Sequence, residues 1–222
     1  MSRIVGASAE LLGQRGYRRV TVEEIASRAG VSKSSVYLHW NTKDEIFYDA
    51  LDREFTVLAC TVVEHVKRDP AEVLAHRMAV NLLRIFVDRP LLQALLIDDR
   101  VVLGSLQPAK SPILCSRTDA IGEFASRYIT ALQLNGLLCP EVDPCIVREA
   151  TWEMLRGMTL SAVSCSADKR ELERAVTVTV RRAFEPPGVP TQAQVTAAAG
   201  VVLDDFDELV QPEQNVVRWV AR

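Results

Sequence analysis

Two short helical patterns separated by a glycine turn lie near the start of the chain, and few folds accommodate that spacing. Thr21 stands where a helix N-cap is expected, because Glu24 follows three residues later as in a capping box. Gly30 ends the predicted helix, since glycine adopts the left-handed conformation that closes a helix without steric strain. Ser32 then begins a further helix over about residues 33–39. Two short helices joined by such a turn predict a helix-turn-helix.

A stabilising helix precedes this motif. It is predicted over about residues 3–14, ends at Gly16, and has apolar positions that recur with helical spacing. Ala26 supplies the small side chain that the motif needs where its two helices cross, and Val31 is predicted to fill the space beneath the turn. The residues predicted to face the shared core are Ile4, Val5, Ala7, Leu11, Leu12, Val22, Ile25, Ala26, Val36 and Trp40.

The rest of the chain keeps a helical pattern, so the predicted fold class is all-α. Thr42 caps a long helix of about residues 43–67, with Glu45 at its third position. The proline-containing segment 185–190 is the strongest later break. Further helices are predicted over about residues 71–87, 91–106, 116–134, 143–164, 169–184, 191–210 and 213–220.

Charge is distributed unevenly along the 222 residues. The net charge is −3, yet residues 1–43 contain seven Lys or Arg against three Asp or Glu, a local charge of +4. Residues 44–222 therefore carry −7. A basic end on an acidic body is expected of a protein that presents only one of its surfaces to DNA.

The third predicted helix has the composition of a recognition helix, whose N-terminal side chains meet base edges in the major groove. Its first residues are small or cationic, so the helix backbone can approach the bases closely. Thr21 and Lys43 each stand at the positive end of a helix, where a phosphate is favoured. The predicted DNA-binding residues are Thr21, Ser32, Lys33, Ser34, Ser35, Tyr37, His39 and Lys43.

Residues 9–47 resemble the DNA-binding domain of the TetR family of bacterial regulators. The motifs that carry the resemblance are RGY (Arg15–Tyr17), TVEEIASRAGVS (Thr21–Ser32), VYLHW (Val36–Trp40) and TKDEIF (Thr42–Phe47). The resemblance implies that bases are read by Lys33, Ser34 and Ser35, and that phosphates are bound by Thr21, Tyr37, His39 and Lys43. Ser34 and Ser35 replace the Gly-Thr of many relatives, which leaves the operator sequence open.

The resemblance also implies an organisation for the whole chain. Members are two-domain homodimers, most often repressors that a small ligand releases from a palindromic operator. Residues 1–48 are then the helix-turn-helix DNA-binding domain, 49–185 the helical ligand-binding and dimerisation domain, and 186–222 a C-terminal extension that is helical in part. The helices predicted over 143–164 and 169–184 would pair with their copies in a four-helix interface. Such pairing places two recognition helices about 34 Å apart, one turn of DNA.

A ligand site in the second domain is expected only by this resemblance. The candidates lie on apolar faces of the central helices, and each of them also suits an ordinary core. An indole or a phenol must find a partner for its polar tip, which favours two of them. The candidate ligand-binding residues are Met78, Leu82, Phe86, Phe124, Tyr128 and Trp152.

Other classes of function have little support in the sequence. No run of 18 or more apolar residues occurs and the N-terminus does not read as a signal peptide, so a cytoplasmic protein is expected. The five cysteines form no CxxC pair and the three histidines lack zinc-ligand spacing, so no metal, cofactor or catalytic residue is predicted. Cys60 and His65 lie about 140° apart around one helix, a poor arrangement for a catalytic pair. An effector-independent DNA-binding or interaction module remains the alternative function.

Overall fold

The computed structural model describes residues 1–165 and 167–210. Regular structure in this part of the chain is helical, which confirms the predicted fold class. The helix predicted over 213–220 lies outside the described residues. The α-helices are α1 (Ser2–Arg15), α2 (Val22–Ala29), α3 (Lys33–Tyr37), α4 (Lys43–Arg68), α5 (Ala75–Asp88), α6 (Pro90–Leu96), α7 (Arg100–Leu103), α8 (Pro112–Leu134), α9 (Pro144–Ser164), α10 (Lys169–Phe184) and α11 (Gln192–Val210).

The described residues divide into two compact units. One unit combines residues 1–57 with 89–119, and the other combines 58–88 with 120–210. The domain boundaries predicted after residues 48 and 185 concern function, and they stay a prediction. No helix within the described ranges is both long and apolar enough to cross a membrane.

The core of the first unit forms where α1 packs against α2 and α2 packs against α3. All ten residues predicted to face this core are buried, and Val31 packs against it from the turn. Trp40 places its indole among them, and its Nε1 donates a hydrogen bond to Asp49 Oδ2 on α4 at 2.6 Å. Burying each large apolar side chain stabilises the unit by roughly 1.5–3 kcal/mol. The helices of the motif are therefore stabilised by a small apolar core that they share.

Residues 89–119 complete this unit, and one prediction about them is wrong. The single helix expected over 91–106 is two helices, because α6 ends at Leu96 and α7 begins at Arg100. Asp98 adopts a φ of +52°, which a helix interior does not allow, and Asp99 Oδ1 accepts a hydrogen bond from the amide of Val101 at 2.8 Å to cap α7. Both short helices pack against α1.

Two ion pairs fasten residues 89–119 to α4. Arg89 makes a two-pronged contact with Glu54, with N–O distances of 2.7 and 2.9 Å. Arg117 Nε donates to Asp52 Oδ1 at 2.9 Å, and both side chains are almost fully buried. Guanidinium–carboxylate pairs of this kind fix orientation as well as distance. The first unit is therefore joined by charge as well as by its apolar core.

The second unit is built around α5, which packs against α9 and α10. The helix predicted from residue 71 begins instead at Ala75, because residues 70–73 form a 3-10 turn capped by Asp69. The start of α5 is joined to the end of α10, since His76 Nδ1 lies 2.8 Å from Glu185 Oε1. The predicted helix over 191–210 is confirmed as α11, which packs against the 3-10 turn.

Candidate nucleic-acid interface

The start of α2 has the capping box that the sequence predicts. Thr21 Oγ1 accepts a hydrogen bond from the amide of Glu24 at 3.2 Å, and Glu24 Oε2 accepts one from the amide of Thr21 at 2.9 Å. This backbone hydrogen bond lowers the pKa of Glu24, which therefore stays ionised at the positive end of the helix. At the other end, Gly30 has the left-handed conformation, with φ +68° and ψ +39°. The turn between the two helices is thus fixed at both sides.

The start of α3 carries three hydroxyl groups close together. Ser32 caps the helix, since its Oγ accepts a hydrogen bond from the amide of Ser35 at 3.1 Å. The same Oγ lies 3.0 Å from Ser34 Oγ and 2.8 Å from Ser35 Oγ. Val36 is completely buried and points the opposite way. The structure therefore brings the predicted base-reading serines together on the outer side of α3.

Lys33 is not free in this structure. Its ammonium group forms an ion pair with Glu23 on α2 and lies 5.7 Å from the centre of the Tyr37 ring. The hydrogen bond between Lys33 and Glu23 raises the pKa of the lysine and lowers the pKa of the glutamate, so both stay charged at neutral pH. Any contact of Lys33 with a base has to replace this ion pair.

Three exposed side chains follow one another at the end of α3. Tyr37 is 46% exposed, and His39 is exposed with its ring 5.6 Å from that of Trp40. Leu38 lies between them, is 80% exposed, and is a residue that the sequence reasoning missed. Its signal is an apolar side chain where the motif is otherwise polar, and it suits contact with a thymine methyl group.

Lys43 binds protein atoms rather than pointing freely outward. Its Nζ donates to the carbonyl oxygens of Tyr17 and Val20 at 3.0 and 3.1 Å and lies 4.0 Å from the centre of the Tyr17 ring. The phenol of Tyr17 donates to Asp44 Oδ1 at 2.5 Å. Burial is the larger cause that raises the pKa of Tyr17, and the hydrogen bond to Asp44 is the second. Lys43 thus holds the turn before α2 against the start of α4, and its role as a phosphate contact stays a prediction.

The six candidate ligand-binding residues all lie in the second unit. Phe124 and Tyr128 stack with ring centres 6.2 Å apart, and Phe86 meets Trp152 edge-on at 5.9 Å. Tyr128 donates its hydroxyl hydrogen to the carbonyl oxygen of Val73 at 2.9 Å, and burial raises the pKa of this phenol. The other two candidates are Met78, which is buried, and Leu82, which is partly buried. Their role in ligand binding stays a prediction.

Comparison with known proteins agrees with this geometry. The family model described as bacterial regulatory proteins of the tetR family matches residues 4–50. Residues 4–50 of this chain therefore match the DNA-binding domain of the TetR family. The matched segment contains most of α1, all of α2 and α3, and the first residues of α4.

Two curated relatives match part of this chain. The transcriptional activator FasR of Mycolicibacterium smegmatis is 28% identical over 123 residues, which are 54% of this chain and 56% of FasR. The uncharacterised regulator YdeS of Bacillus subtilis is 40% identical over 47 residues, 21% of this chain and 24% of YdeS. This chain therefore spans little more than half of one relative's length and about a quarter of the other's.

Solved structures show the same fold over most of the chain. A protein of Saccharomonospora viridis, described as a transcriptional regulator and crystallised with choline, matches with a TM-score of 0.63. The match covers 83% of this chain and 96% of that protein at 16% sequence identity. Sequence identity at this level supports a common fold, but it does not identify the ligand or the operator of this chain.

Proposed function

We propose that this protein is a homodimeric regulator of transcription that binds a palindromic operator, represses from it, and is released by a small ligand. The observation that carries the proposal is α3, which buries Val36 against the core and turns its polar side chains to solvent. An isolated helix of five residues is not stable in water, so the packing of Val36 against the core is what holds these side chains in place. A regulator of this kind acts in the cytoplasm, where bacterial DNA lies.

Within this proposal the side chains at the motif have two roles. Lys33, Ser34 and Ser35 read base edges, whereas Thr21, Tyr37, His39 and Lys43 contact phosphates on either side. Ser32 caps α3, and in this proposal its hydroxyl group also contacts a phosphate of the DNA backbone. The proposed function requires no cofactor and no catalytic residue. Among the side chains that the structure describes, no group of three or more from His, Cys, Asp or Glu could hold a metal ion.

Release by a small ligand is supported by one polar group in the second unit. The hydroxyl of Thr159 on α9 is fully buried and has no hydrogen-bond partner among the described residues. A buried hydroxyl in this state costs free energy, which a bound polar molecule would offset. The choline found in the Saccharomonospora viridis protein supports a ligand in the same fold.

One cavity of the second unit is smaller than an ordinary ligand site. The cavity between α5 and α10 has a volume of about 150 Å³ and is bordered by the ion pairs Arg84–Glu173 and Asp88–Lys169. Pockets for small ligands usually measure about 300–1,000 Å³. A ligand site of ordinary size would therefore have to open further than this cavity does.

The first experiment is selection of binding sites from a random-sequence duplex library, using the full chain. We expect a palindrome whose half-site centres lie about 34 Å apart, because a two-fold dimer presents its recognition helices one DNA turn apart. Enrichment of no common sequence would contradict the proposed function. Reporter transcription from the selected site, with and without the protein, then distinguishes repression from activation.

Glu23→Gln is expected to raise the affinity for every DNA duplex by about two- to fivefold. The exchange removes a negative charge beside α3 and frees Lys33, and both changes favour the approach of the anionic duplex. Glu123→Gln on α8 is the matched control, since its side chain is 75% exposed and lies in the second unit. Fluorescence anisotropy measures both, and an unchanged or lower affinity for Glu23→Gln would show that Lys33 does not turn to DNA.

A further inference from the structure

A second basic surface lies in the first unit, away from the exposed side chains of α3. It is a groove of about 370 Å³ between the first half of α1, the end of α2 and the third turn of α4. Three arginines line it, Arg3 on α1, Arg28 on α2 and Arg53 on α4, and Glu10 is its one acidic residue. We call it the arginine groove. Its composition gives a net charge of +2 within a single concavity.

The charges of the arginine groove are not balanced within the protein. Arg28 pairs with Glu10 at 2.6 Å, which uses the groove's carboxylate. Arg3 and Arg53 have no ion-pair partner in the part of the chain that the structure describes. Unbalanced guanidinium groups in one concavity repel each other, so an anion would bind there favourably.

The acidic residues nearest to Arg53 on α4 are all engaged elsewhere. Asp49 accepts the indole hydrogen bond of Trp40, Asp52 pairs with Arg117, and Glu54 pairs with Arg89. The Arg53 side chain is partly buried, yet three carboxylates within four residues of it bind other groups. These three carboxylates therefore bind other groups, and the Arg53 guanidinium remains available to bind an anion.

Glycine at position 6 allows Arg53 to reach the groove. A Cβ at Gly6 would lie 2.7 Å from Arg53 Nη1, closer than atoms in contact allow, so the guanidinium group lies directly across α1 at this point. Arg3 extends toward the turn of the motif, since its Nη1 lies 4.0 Å from the position of a Cβ at Gly30. The arginine groove thus reaches the turn that leads into α3.

We propose that the arginine groove binds a phosphate group of the DNA backbone, a contact that rests on the DNA-binding function proposed above. A planar guanidinium group matches two phosphate oxygens at once, and Arg3 and Arg53 offer two such groups. The groove is open, so a continuous backbone can lie along it. In helix-turn-helix proteins the helix before the recognition helix crosses the DNA backbone, and here that helix is α2, whose Arg28 and Ala29 line the groove. The same site chemistry fits a free phosphate ion, which is the other source to be tested.

The test is the salt dependence of binding to a random-sequence duplex, because phosphate binding does not depend on sequence. A plot of log K against log salt concentration has a negative slope. Arg3→Gln and Arg53→Gln are each expected to reduce the magnitude of this slope by about 0.9 for each phosphate that the variant no longer neutralises. Arg68→Gln is the matched control, since Arg68 lies exposed on the same helix α4 outside the groove. Gly6→Ala is a second variant that displaces the Arg53 guanidinium without changing the charge, and it should reduce the slope in the same direction.

A parallel titration with inorganic phosphate and pyrophosphate, followed by isothermal calorimetry, separates the two sources. Lower salt slopes in the groove variants, with no binding of the free anions, support the DNA backbone. Binding of a free anion that Arg53→Gln abolishes supports the same site with a free phosphate as its ligand. Wild-type slopes in the variants together with no anion binding would overturn the proposal. Failure of the wild-type protein to bind any duplex would instead contradict the proposed function. In that case the anion titration alone shows whether the arginine groove binds phosphate.

Discussion

Replacing Asp52 by alanine is expected to lower the free energy of unfolding by about 3–5 kcal/mol. Asp52 Oδ1 accepts a hydrogen bond from Arg117 Nε at 2.9 Å, and only 3% of the aspartate side chain and 10% of the arginine side chain are exposed. The exchange takes away the negative charge that neutralises a buried guanidinium group, which is the costliest way to break an ion pair. Denaturant unfolding followed by circular dichroism measures the change.

Two further variants show whether burial causes this destabilisation. Glu149→Ala breaks the exposed ion pair with Arg148, and we expect the free energy of unfolding to fall by no more than about 1 kcal/mol. The double variant Asp52→Leu with Arg117→Met removes both buried charges and should recover much of the stability that Asp52→Ala removes. Equal destabilisation by Asp52→Ala and Glu149→Ala would contradict the role assigned to the buried pair.

The parts of the fold that the sequence predicts best are those that depend on neighbouring residues. The capping box of Thr21 and Glu24 and the left-handed Gly30 each require contacts within a few positions along the chain. The buried face of α1 follows from helical periodicity alone, because side chains three and four residues apart share one side of a helix. These features are predicted in the positions where the structure has them.

The packing of residues 89–119 depends on contacts between distant parts of the chain. Arg117 meets Asp52, which lies 65 positions earlier, and no local pattern indicates which charged residues will pair. The break between α6 and α7 depends on the φ of +52° at Asp98. Positive φ values are uncommon for residues other than glycine, so the sequence does not indicate this conformation. Apolar periodicity continues through this break, so the sequence predicts one helix instead of two.

The candidate interface shows the same limit at the level of single side chains. Composition and spacing predict that Lys33 and Lys43 lie near DNA, but they do not show what each ammonium group binds in the absence of DNA. Lys33 pairs with Glu23 across the turn, and Lys43 binds two carbonyl oxygens before α2. Both contacts arise from the folded arrangement of α2, α3 and α4. The sequence predicts which residues are present at the site, and the structure shows which of them must exchange partners.

Leu160→Glu is expected to convert the proposed dimer into a monomer and to weaken operator binding by about 10²–10⁴-fold. Ile146, Trp152, Leu160 and Val163 lie within about a third of the circumference of α9, and between 42% and 59% of each is exposed. Large apolar side chains aligned on one helix face are typical of a protein interface. A charge in the middle of such an interface has no partner and must stay hydrated, so the two copies separate.

The fall in DNA affinity follows from the separation of the two half-sites. A dimer that has bound one half-site holds its second recognition helix near the other, and linking two binding modules in this way raises affinity by about 10²–10⁴-fold. Sedimentation velocity measures the monomer, and anisotropy with the selected palindrome measures the affinity. Leu134→Glu is the matched control, because Leu134 on α8 is 82% exposed and belongs to no proposed interface. A Leu160→Glu protein that remains dimeric with wild-type affinity would show that the subunits pair through another face.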